Sequence, residues 1–265
     1  MANELRRIFK EGRSVVNGWS NIPSAFAAET MAQCGWDSIT FDMQHGLIDY
    51  ATLIHCLQAL KGYPVVPLVR LPWNEPGIIG RVLDGGAMGV ICPMVNNADE
   101  ARALVNAARF PPLGVRSHGP IRAGTLYGQA GSYYKTANTD VFVFPMIETP
   151  DGMRNLDAIL DVEGVDGVYV GPGDLGLTIG LPPILDRREP QILAFYDEIA
   201  RKCRARGKIA GIHNATGSYS VETQRMGFQF LTILTDNGLL IRAASSEIAT
   251  VREHLKEAEG VAVPA

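Results

Sequence analysis

The sequence predicts one α/β domain with the fold of a closed (β/α)8 barrel, or TIM barrel, and three observations support this fold class. The chain has 265 residues, which is close to the usual size of one such barrel. Eight short apolar runs rich in β-branched residues alternate with segments of helical pattern. No linker, low-complexity tract or internal repeat divides the sequence, so residues 1–265 are expected to form a single domain.

The predicted strands are apolar on both faces, as in a parallel sheet that helices cover. They comprise residues 15–20, 38–43, 66–71, 89–94, 141–148, 167–171, 208–213 and 230–235. Asn97 is a candidate N-cap for a helix that runs to Arg109, and Thr149 is a candidate N-cap followed by Pro150. Glycines that end helical stretches, as left-handed caps do, are Gly35, Gly62, Gly207 and Gly227.

Composition and charge exclude several classes of protein. The net charge of −4 offers no basic surface for nucleic acid or anionic lipid. The first residues do not resemble a signal peptide, and no apolar run reaches the roughly 18 residues that a membrane span requires. We therefore expect a cytoplasmic protein without nucleic-acid or membrane partners. The cysteines are scattered without a C-x-x-C pair, which favours buried free thiols over a zinc or disulfide framework: Cys34, Cys56, Cys92 and Cys203.

Polar residues stand at the carboxyl ends of the predicted strands, where barrel enzymes place their catalytic groups. Glu148 and Asp174 each close an apolar run, about one strand–helix repeat apart, so both side chains are expected at the same rim. Neighbouring carboxylates repel each other unless a cation lies between them, and a hard divalent metal such as Mg²⁺, Mn²⁺ or Co²⁺ fits best. The other rim candidates are Trp19, Asp42, His45, Arg70, His213 and Asp236.

Three residues are candidates for a direct part in catalysis. Arg70 suits an anionic substrate or a developing oxyanion, with an ion pair to Asp42 as the alternative. His45 is the natural proton carrier near neutral pH, with an ordinary surface position as the alternative, and Asp84 is a candidate to orient its ring. Since no lysine closes a strand, a Schiff-base mechanism lacks its nucleophile, and carbonyl chemistry here requires a metal.

The segment from Gly171 to Gly176 matches the G-x-G-x-x-G pattern of dinucleotide sites. It lies in the sixth repeat, however, and Asp174 would repel a pyrophosphate. We interpret its backbone N–H groups as a small-anion site, with Asp174 on the metal. Two long connections, 110–140 and 176–190, are expected on the catalytic face as lids or subunit contacts.

These residues, in this order, resemble the HpcH/HpaI aldolase family. Its members are divalent-metal (class II) aldolases that cleave 4-hydroxy-2-oxo acids to pyruvate and an aldehyde. The resemblance extends over nearly the whole chain, and its strongest blocks include Asp42-Met-Gln-His45, Ile147-Glu148-Thr149 and Gly171-Pro-Gly-Asp174-Leu175. Many members carry Glu-His where this chain has Gln44-His45, and alanine where it has Gly173, which leaves more room beside the donor.

The resemblance implies a role for each of these residues. Glu148 and Asp174 are the implied metal ligands, and Arg70 the implied enolate stabiliser. His45 and Asp84 are the implied proton-transfer dyad. The backbone around Gly173 and Asp174 is expected to bind the carboxylate of the 2-oxo acid, and the remaining substrate-binding candidates are Pro172 and Trp19.

The resemblance also implies a homohexamer in which the C-terminal helix packs on a neighbouring subunit. The expected substrate is a 4-hydroxy-2-oxoheptanedioate-type or sugar-derived 2-oxo acid. Two alternatives stay open. One is an acyl-CoA lyase of the citramalyl or malyl type, for which Arg187-Arg188 is the only basic pair available. The other is a protein that binds 2-oxo acids without turnover.

Overall fold

A computed structural model, which describes residues 3–128 and 131–258, confirms the closed barrel of eight parallel strands in sequential order. Each predicted run corresponds to one strand, and the ends differ by at most two residues. The strands are β1 (Val15–Ser20), β2 (Ser38–Asp42), β3 (Val66–Arg70), β4 (Gly89–Cys92), β5 (Phe142–Ile147), β6 (Gly167–Val170), β7 (Ile209–Asn214) and β8 (Phe230–Ile233).

The helices that cover the barrel begin and end with the signals that the sequence predicts. The side chain of Asn97 caps one helix by accepting from Glu100, and Thr149 caps another ahead of Pro150. The described helices are α1 (Glu4–Lys10), α2 (Ala25–Ala32), α3 (Tyr50–Ala59), α4 (Pro76–Asp84), α5 (Ala98–Ala108), α6 (Ile121–Tyr127), α7 (Tyr133–Asp140), α8 (Pro150–Arg154), α9 (Leu156–Leu160), α10 (Pro172–Leu177), α11 (Pro190–Ala205), α12 (Gly217–Met226) and α13 (Asp236–Ala258).

The predicted helix-ending glycines and free cysteines are confirmed. All four glycines have positive φ: Gly35, Gly62, Gly207 and Gly227. The cysteines form no disulfide, and the expected burial is confirmed for Cys56, Cys92 and Cys203 but wrong for Cys34, which is exposed just after the end of α2. Within residues 3–128 and 131–258, no helix combines the length and apolar character needed to cross a membrane.

The hydrophobic core has two parts, one between the strands and helices and one inside the barrel. Inward-facing aromatic residues fill the barrel interior, among them Phe144, Tyr169 and Phe230. Helix α1, which the sequence patterns did not predict, closes the amino-terminal end of the barrel by burying Leu5 and Ile8 in this interior core. The interior is therefore packed from below, and polar side chains are left at the carboxyl end.

The 110–140 connection is not on the catalytic face, so this prediction is wrong. It follows α5 and leads into β5, which places it at the amino-terminal end of the strands. Its α6 and α7 are anchored there, because Arg122 donates to the carbonyls of Leu57 and Gly85 and Tyr127 donates to the carbonyl of Gly86. The helix predicted up to Arg109, which is α5, returns the chain to the amino-terminal end before this connection begins.

The 176–190 connection does follow β6 and lies on the catalytic face, as predicted. Arg187 holds this segment together from inside, since its buried guanidinium donates to the carbonyl of Pro182 and to Glu189. Gly176 leaves room for that guanidinium, because a Cβ there would overlap Arg187. The last glycine of the G-x-G-x-x-G match thus has a packing role in this chain.

Candidate active site

Glu148, Gly171 and His213 lie side by side at the carboxyl end of the barrel. The preceding residues on their strands are paired in register, Ile147 with Val170 and Val170 with Ile212, and all three pack against the helices. Because side chains alternate along a strand, the next residue on each strand faces the barrel axis. Gly171 has no side chain between the other two, and a Cβ there would overlap the Oε2 atom of Glu148.

The carboxylate of Glu148 is almost completely buried, with 2% of the residue exposed. Its Oε1 atom accepts the backbone N–H of Met94 at 2.7 Å, and no other described residue donates to this carboxylate. Burial raises the pKa of Glu148 to about 7, and the negative charge of Asp174 adds to the rise. Glu148 is therefore about half protonated at neutral pH unless a cation neutralises it.

Met94 is a site residue that sequence reasoning missed. Its φ of 55° lies in the left-handed region, which is uncommon for a residue other than glycine. This conformation accompanies the N–H bond to Glu148 described above. A backbone donor leaves no signal in the residue type, so only the folded backbone reveals it.

Asp174 lies in the first turn of α10, which begins directly after β6. Asp174 and Glu148 lie at the same end of adjacent strands, and the negative charge of Asp174 contributes to the raised pKa of Glu148. Among the described residues no group of three or more His, Cys, Asp and Glu side chains is placed to hold a metal ion. Two carboxylates, with Glu148 Oε2 facing the space above Gly171, fit a divalent cation that keeps positions open for water and substrate oxygens.

Arg70 forms an ion pair with Asp42, the alternative that the sequence left open. Its Nε donates to Asp42 Oδ1 at 2.8 Å, and its Nη2 donates to Asp42 Oδ2. Burial would raise the pKa of Asp42, but the hydrogen bonds and charge of Arg70 outweigh it and hold that pKa below its ordinary value. No described residue accepts from Nη1. The charge of Arg70 also lowers the pKa of Glu148, which places the guanidinium on the side of the acidic pair.

Trp19 supports this ion pair from below. The indole is 1% exposed, its Nε1 donates to Asp42 Oδ2 at 3.3 Å, and the guanidinium of Arg70 lies 4.9 Å from the ring centroid. The buried ring orients Asp42 and Arg70. Direct contact between Trp19 and a substrate stays a prediction.

His45 is exposed in the turn after β2, where its backbone N–H donates to Asp42 Oδ1 at 3.2 Å. The next residue must be glycine, because a Cβ at Gly46 would overlap the carbonyl oxygen of Asp42. No described residue hydrogen-bonds to the imidazole of His45. The side chain is therefore exposed at the barrel mouth without a hydrogen-bond partner among the described residues.

The structure does not bring Asp84 to His45 within one chain. Asp84 is the last residue of α4, which runs away from the catalytic end, so it lies at the amino-terminal end of the barrel. Its carboxylate accepts from Arg116 Nη2 at 2.6 Å instead. The sequence placed Asp84 one repeat from His45 but gave no sign that a whole helix separates it from the rim.

The remaining rim candidates differ in what surrounds them. Pro172 is buried at the first position of α10, whereas Gly173 faces open space, with Pro183 Cβ 4.0 Å from where a Cβ would lie. Asp236 has a structural role, because its carboxylate accepts from the Ser20 hydroxyl and from the N–H groups of Asn21 and Ile22. The substrate contacts predicted for Pro172 and Gly173 stay predictions.

His213 borders the same space and is neutral. Its Nε2 lies 3.1 Å from the carbonyl oxygen of Leu234, and its ring centroid lies 4.8 Å from that of Trp19. Burial, reinforced by the positive charge of Arg70, lowers the pKa of His213 to about 4. The imidazole therefore stays uncharged across the physiological range.

Replacement Glu148→Gln is expected to stabilise the metal-free protein at pH 8. The folded-state pKa of about 7 exceeds the ordinary value of 4.5, so the folded chain binds this proton more tightly than the unfolded chain. The free energy of unfolding of the wild type therefore falls by roughly 3 kcal/mol as the pH rises from about 4.5 through 7. Glutamine does not ionise, so the variant does not lose this stability. Urea unfolding in EDTA at pH 5 and pH 8 measures the effect.

The matched control for this prediction is Glu163→Gln, at an exposed glutamate in the loop before β6. It is expected to change stability little at either pH. A Glu148→Gln difference from wild type that is the same at pH 5 and pH 8 would contradict the raised pKa.

Comparison with known proteins shows the family of the chain. The family model described as HpcH/HpaI aldolase/citrate lyase matches residues 16–232. A hydroxypyruvate/pyruvate aldolase of Rhizorhabdus wittichii is 36% identical over 250 residues, which cover 94% of this chain and 99% of that protein. A 4-hydroxy-2-oxo-heptane-1,7-dioate aldolase of Escherichia coli is 36% identical over 247 residues, covering 93% of this chain and 94% of that protein.

A solved structure agrees with these relatives. A HpcH/HpaI aldolase/citrate lyase family protein from Burkholderia cenocepacia superimposes with a TM-score of 0.89 at 28% identity, covering 95% of this chain and all of that one. The segment that the family model matches contains four residues of the barrel mouth, Asp42, Arg70, Glu148 and Asp174. The chain therefore belongs to the HpcH/HpaI aldolase/citrate lyase family and is a carbon–carbon lyase.

Proposed function

We propose that the chain is a divalent-metal-dependent aldolase that reversibly cleaves a 4-hydroxy-2-oxo acid to pyruvate, or a related 2-oxo acid, and an aldehyde. The observation that carries the proposal is the pair Glu148 and Asp174 at the barrel mouth, where Glu148 is buried and its pKa is raised to about 7. The relatives named for pyruvate, hydroxypyruvate and 4-hydroxy-2-oxo-heptane-1,7-dioate support the substrate class.

Glu148 and Asp174 would hold Mg²⁺, Mn²⁺ or Co²⁺. When bound, the cation supplies Lewis-acid stabilisation of the negative charge that develops on the 2-oxo oxygen as the carbon–carbon bond breaks. Arg70 adds positive charge at the same oxygen through its free Nη1 group, in a direction that Asp42 and Trp19 hold in place. The backbone N–H groups of Gly173 and Asp174 bind the substrate carboxylate at the start of α10.

His45 is the proposed proton carrier. During cleavage its imidazole accepts the proton of the 4-hydroxyl group, directly or through a water molecule, and it returns a proton in the aldol direction. Asp42 holds the backbone of this turn through the His45 N–H group. Within the same chain Asp84 is paired with Arg116 and does not reach the ring, so its predicted part in the proton transfer stays a prediction.

The acyl-CoA lyase alternative receives no support from the arginines on which it depended. The guanidinium of Arg187 is fully buried and bound within its own loop. Arg188 is paired through two hydrogen bonds with Glu222. Neither is free to bind the phosphates of coenzyme A.

The test of the proposed function is proton–deuterium exchange at the methyl group of pyruvate, followed by NMR in D₂O. Exchange is expected with Mg²⁺ or Mn²⁺ and is expected to vanish with EDTA or in Glu148→Ala. Asp99→Ala, at an exposed acid in the first turn of α5, is the matched control and should exchange at the wild-type rate. Absence of exchange under all metal conditions would favour the protein that only binds 2-oxo acids.

Replacement Arg70→Lys is expected to lower kcat by about 10²–10³-fold while metal affinity changes little. The lysine keeps a positive charge beside buried Asp42, but it loses the forked guanidinium that reaches the oxyanion. Steady-state kinetics and metal titration measure the two quantities. Arg188→Lys, at an exposed arginine, is the control and should leave both unchanged. Equal losses of kcat and metal affinity would argue against oxyanion stabilisation by Arg70.

We further propose that the chain forms a homo-oligomer, a hexamer by resemblance, through α13. This 23-residue helix carries an apolar stripe at helical spacing that is exposed in the isolated chain: Leu240, Ile241, Ile248, Val251 and Leu255. Exposed apolar area of this extent is stabilised by packing against another copy.

The double replacement Ile248→Asp with Val251→Asp is expected to dissociate the oligomer, because two charges would be buried without partners in the interface. Light scattering after gel filtration measures the mass. Ser246→Asp, an exposed polar position on the same helix, is the control. A wild-type protein that is monomeric at micromolar concentration would rule out the assembly.

A further inference from the structure

The hydrogen bond of His213 determines which of its ring nitrogens carries the proton. A backbone carbonyl can only accept, so the contact of 3.1 Å between Nε2 and the Leu234 oxygen requires a proton on Nε2. The ring is neutral at physiological pH, as described above, and a neutral imidazole has only one N–H. Nδ1 is therefore an unprotonated acceptor, and no described residue donates to it.

This acceptor lies inside the catalytic layer. In register, His213 is the neighbour of Gly171, and Gly171 is the neighbour of Glu148 on the other side. Because Gly171 has no side chain, the carboxylate of Glu148 lies over this glycine, in the position next to His213. Asp42, on the far side of the mouth, does not donate to Nδ1, because its carboxylate is bonded to Arg70, Trp19 and two backbone N–H groups.

The chemistry of the substrates limits what Nδ1 can bind. The oxo, aldehyde and carboxylate oxygens of these compounds only accept hydrogen bonds at neutral pH. Hydroxyl groups are their only donors. Nδ1 lies on the other side of the ring from Nε2 and so points away from Leu234. An unprotonated nitrogen in this position is complementary to a hydroxyl group and to no other part of the substrate.

We propose that His213 is a specificity-determining residue, whose Nδ1 accepts a hydrogen bond from a substrate hydroxyl group other than the 4-hydroxyl that every substrate carries. The enzyme then prefers a hydroxylated donor or acceptor over the corresponding deoxy compound. This inference rests on the proposed function and specifies its substrate class. The hydroxyl belongs either to the 2-oxo acid donor or to the aldehyde, and the two arms of the experiment distinguish them.

The experiment compares kcat/KM within two substrate pairs. The donor arm uses hydroxypyruvate against pyruvate with one common aldehyde, and the acceptor arm uses glycolaldehyde against acetaldehyde with one common donor. In His213→Phe, which keeps a ring beside Trp19 but has no acceptor, the preference for the hydroxylated compound is expected to fall about tenfold in one arm. His213→Gln, which retains an acceptor oxygen, should recover part of the preference.

A purely structural role of His213 would lower stability or activity with both members of a pair equally. Unchanged preferences in both arms would therefore overturn the inference. A ¹⁵N NMR spectrum of histidine-labelled protein gives an independent readout, with the His213 signals assigned from His213→Phe. Protonation of Nδ1 at neutral pH would also overturn it.

Failure of the proposed function can be told apart from failure of this inference. If no substrate pair is turned over and pyruvate shows no methyl exchange, the aldolase proposal fails. The role of His213 is then decided by calorimetric binding of hydroxypyruvate and pyruvate in the presence of Mn²⁺. A loss of preference in His213→Phe supports the inference, and equal binding changes for the two acids refute it.

Discussion

A carboxylate buried without a full set of partners is the constraint around which the barrel mouth is arranged. Glu148 receives one hydrogen bond, from Met94, and lies beside the like charge of Asp174. In a largely desolvated position this arrangement disfavours the charged form, which is why its pKa rises to about 7. In the proposed function a divalent cation would relieve both the repulsion and the cost of burying the charge. The residues that destabilise the site without a cation are thus the ones proposed to bind it.

The rest of the mouth provides a positive charge next to the acidic pair, on Arg70. Asp42 binds Arg70 through two nitrogens, receives a third bond from Trp19, and also holds the turn that carries His45. One buried carboxylate therefore fixes the position of an arginine, an indole and a loop. The packed aromatic interior below, closed by α1, gives these groups a rigid base.

The two ends of the barrel carry different groups. The carboxyl end carries the acidic pair, the Asp42–Arg70 ion pair and the 176–190 connection. The amino-terminal end carries the 110–140 excursion, where Arg116 binds Asp84. Asp84 at the end of α4 and Arg70 at the end of β3 are close in sequence, but the length of α4 separates them in the fold.

Periodicity and capping signals were sufficient to predict the eight strands, the closed barrel and the rim positions of Glu148, Asp174, Arg70 and His213, because local patterns decide which residues end a strand. Three features depended on the folded chain instead: the N–H group of Met94 at Glu148, the pairing of Asp84 with Arg116, and the proton position on His213. Each depends on a contact between residues distant in sequence or on a backbone group, and residue type carries no record of either. The sequence determines which groups reach the rim, whereas tertiary contacts decide their partners and protonation.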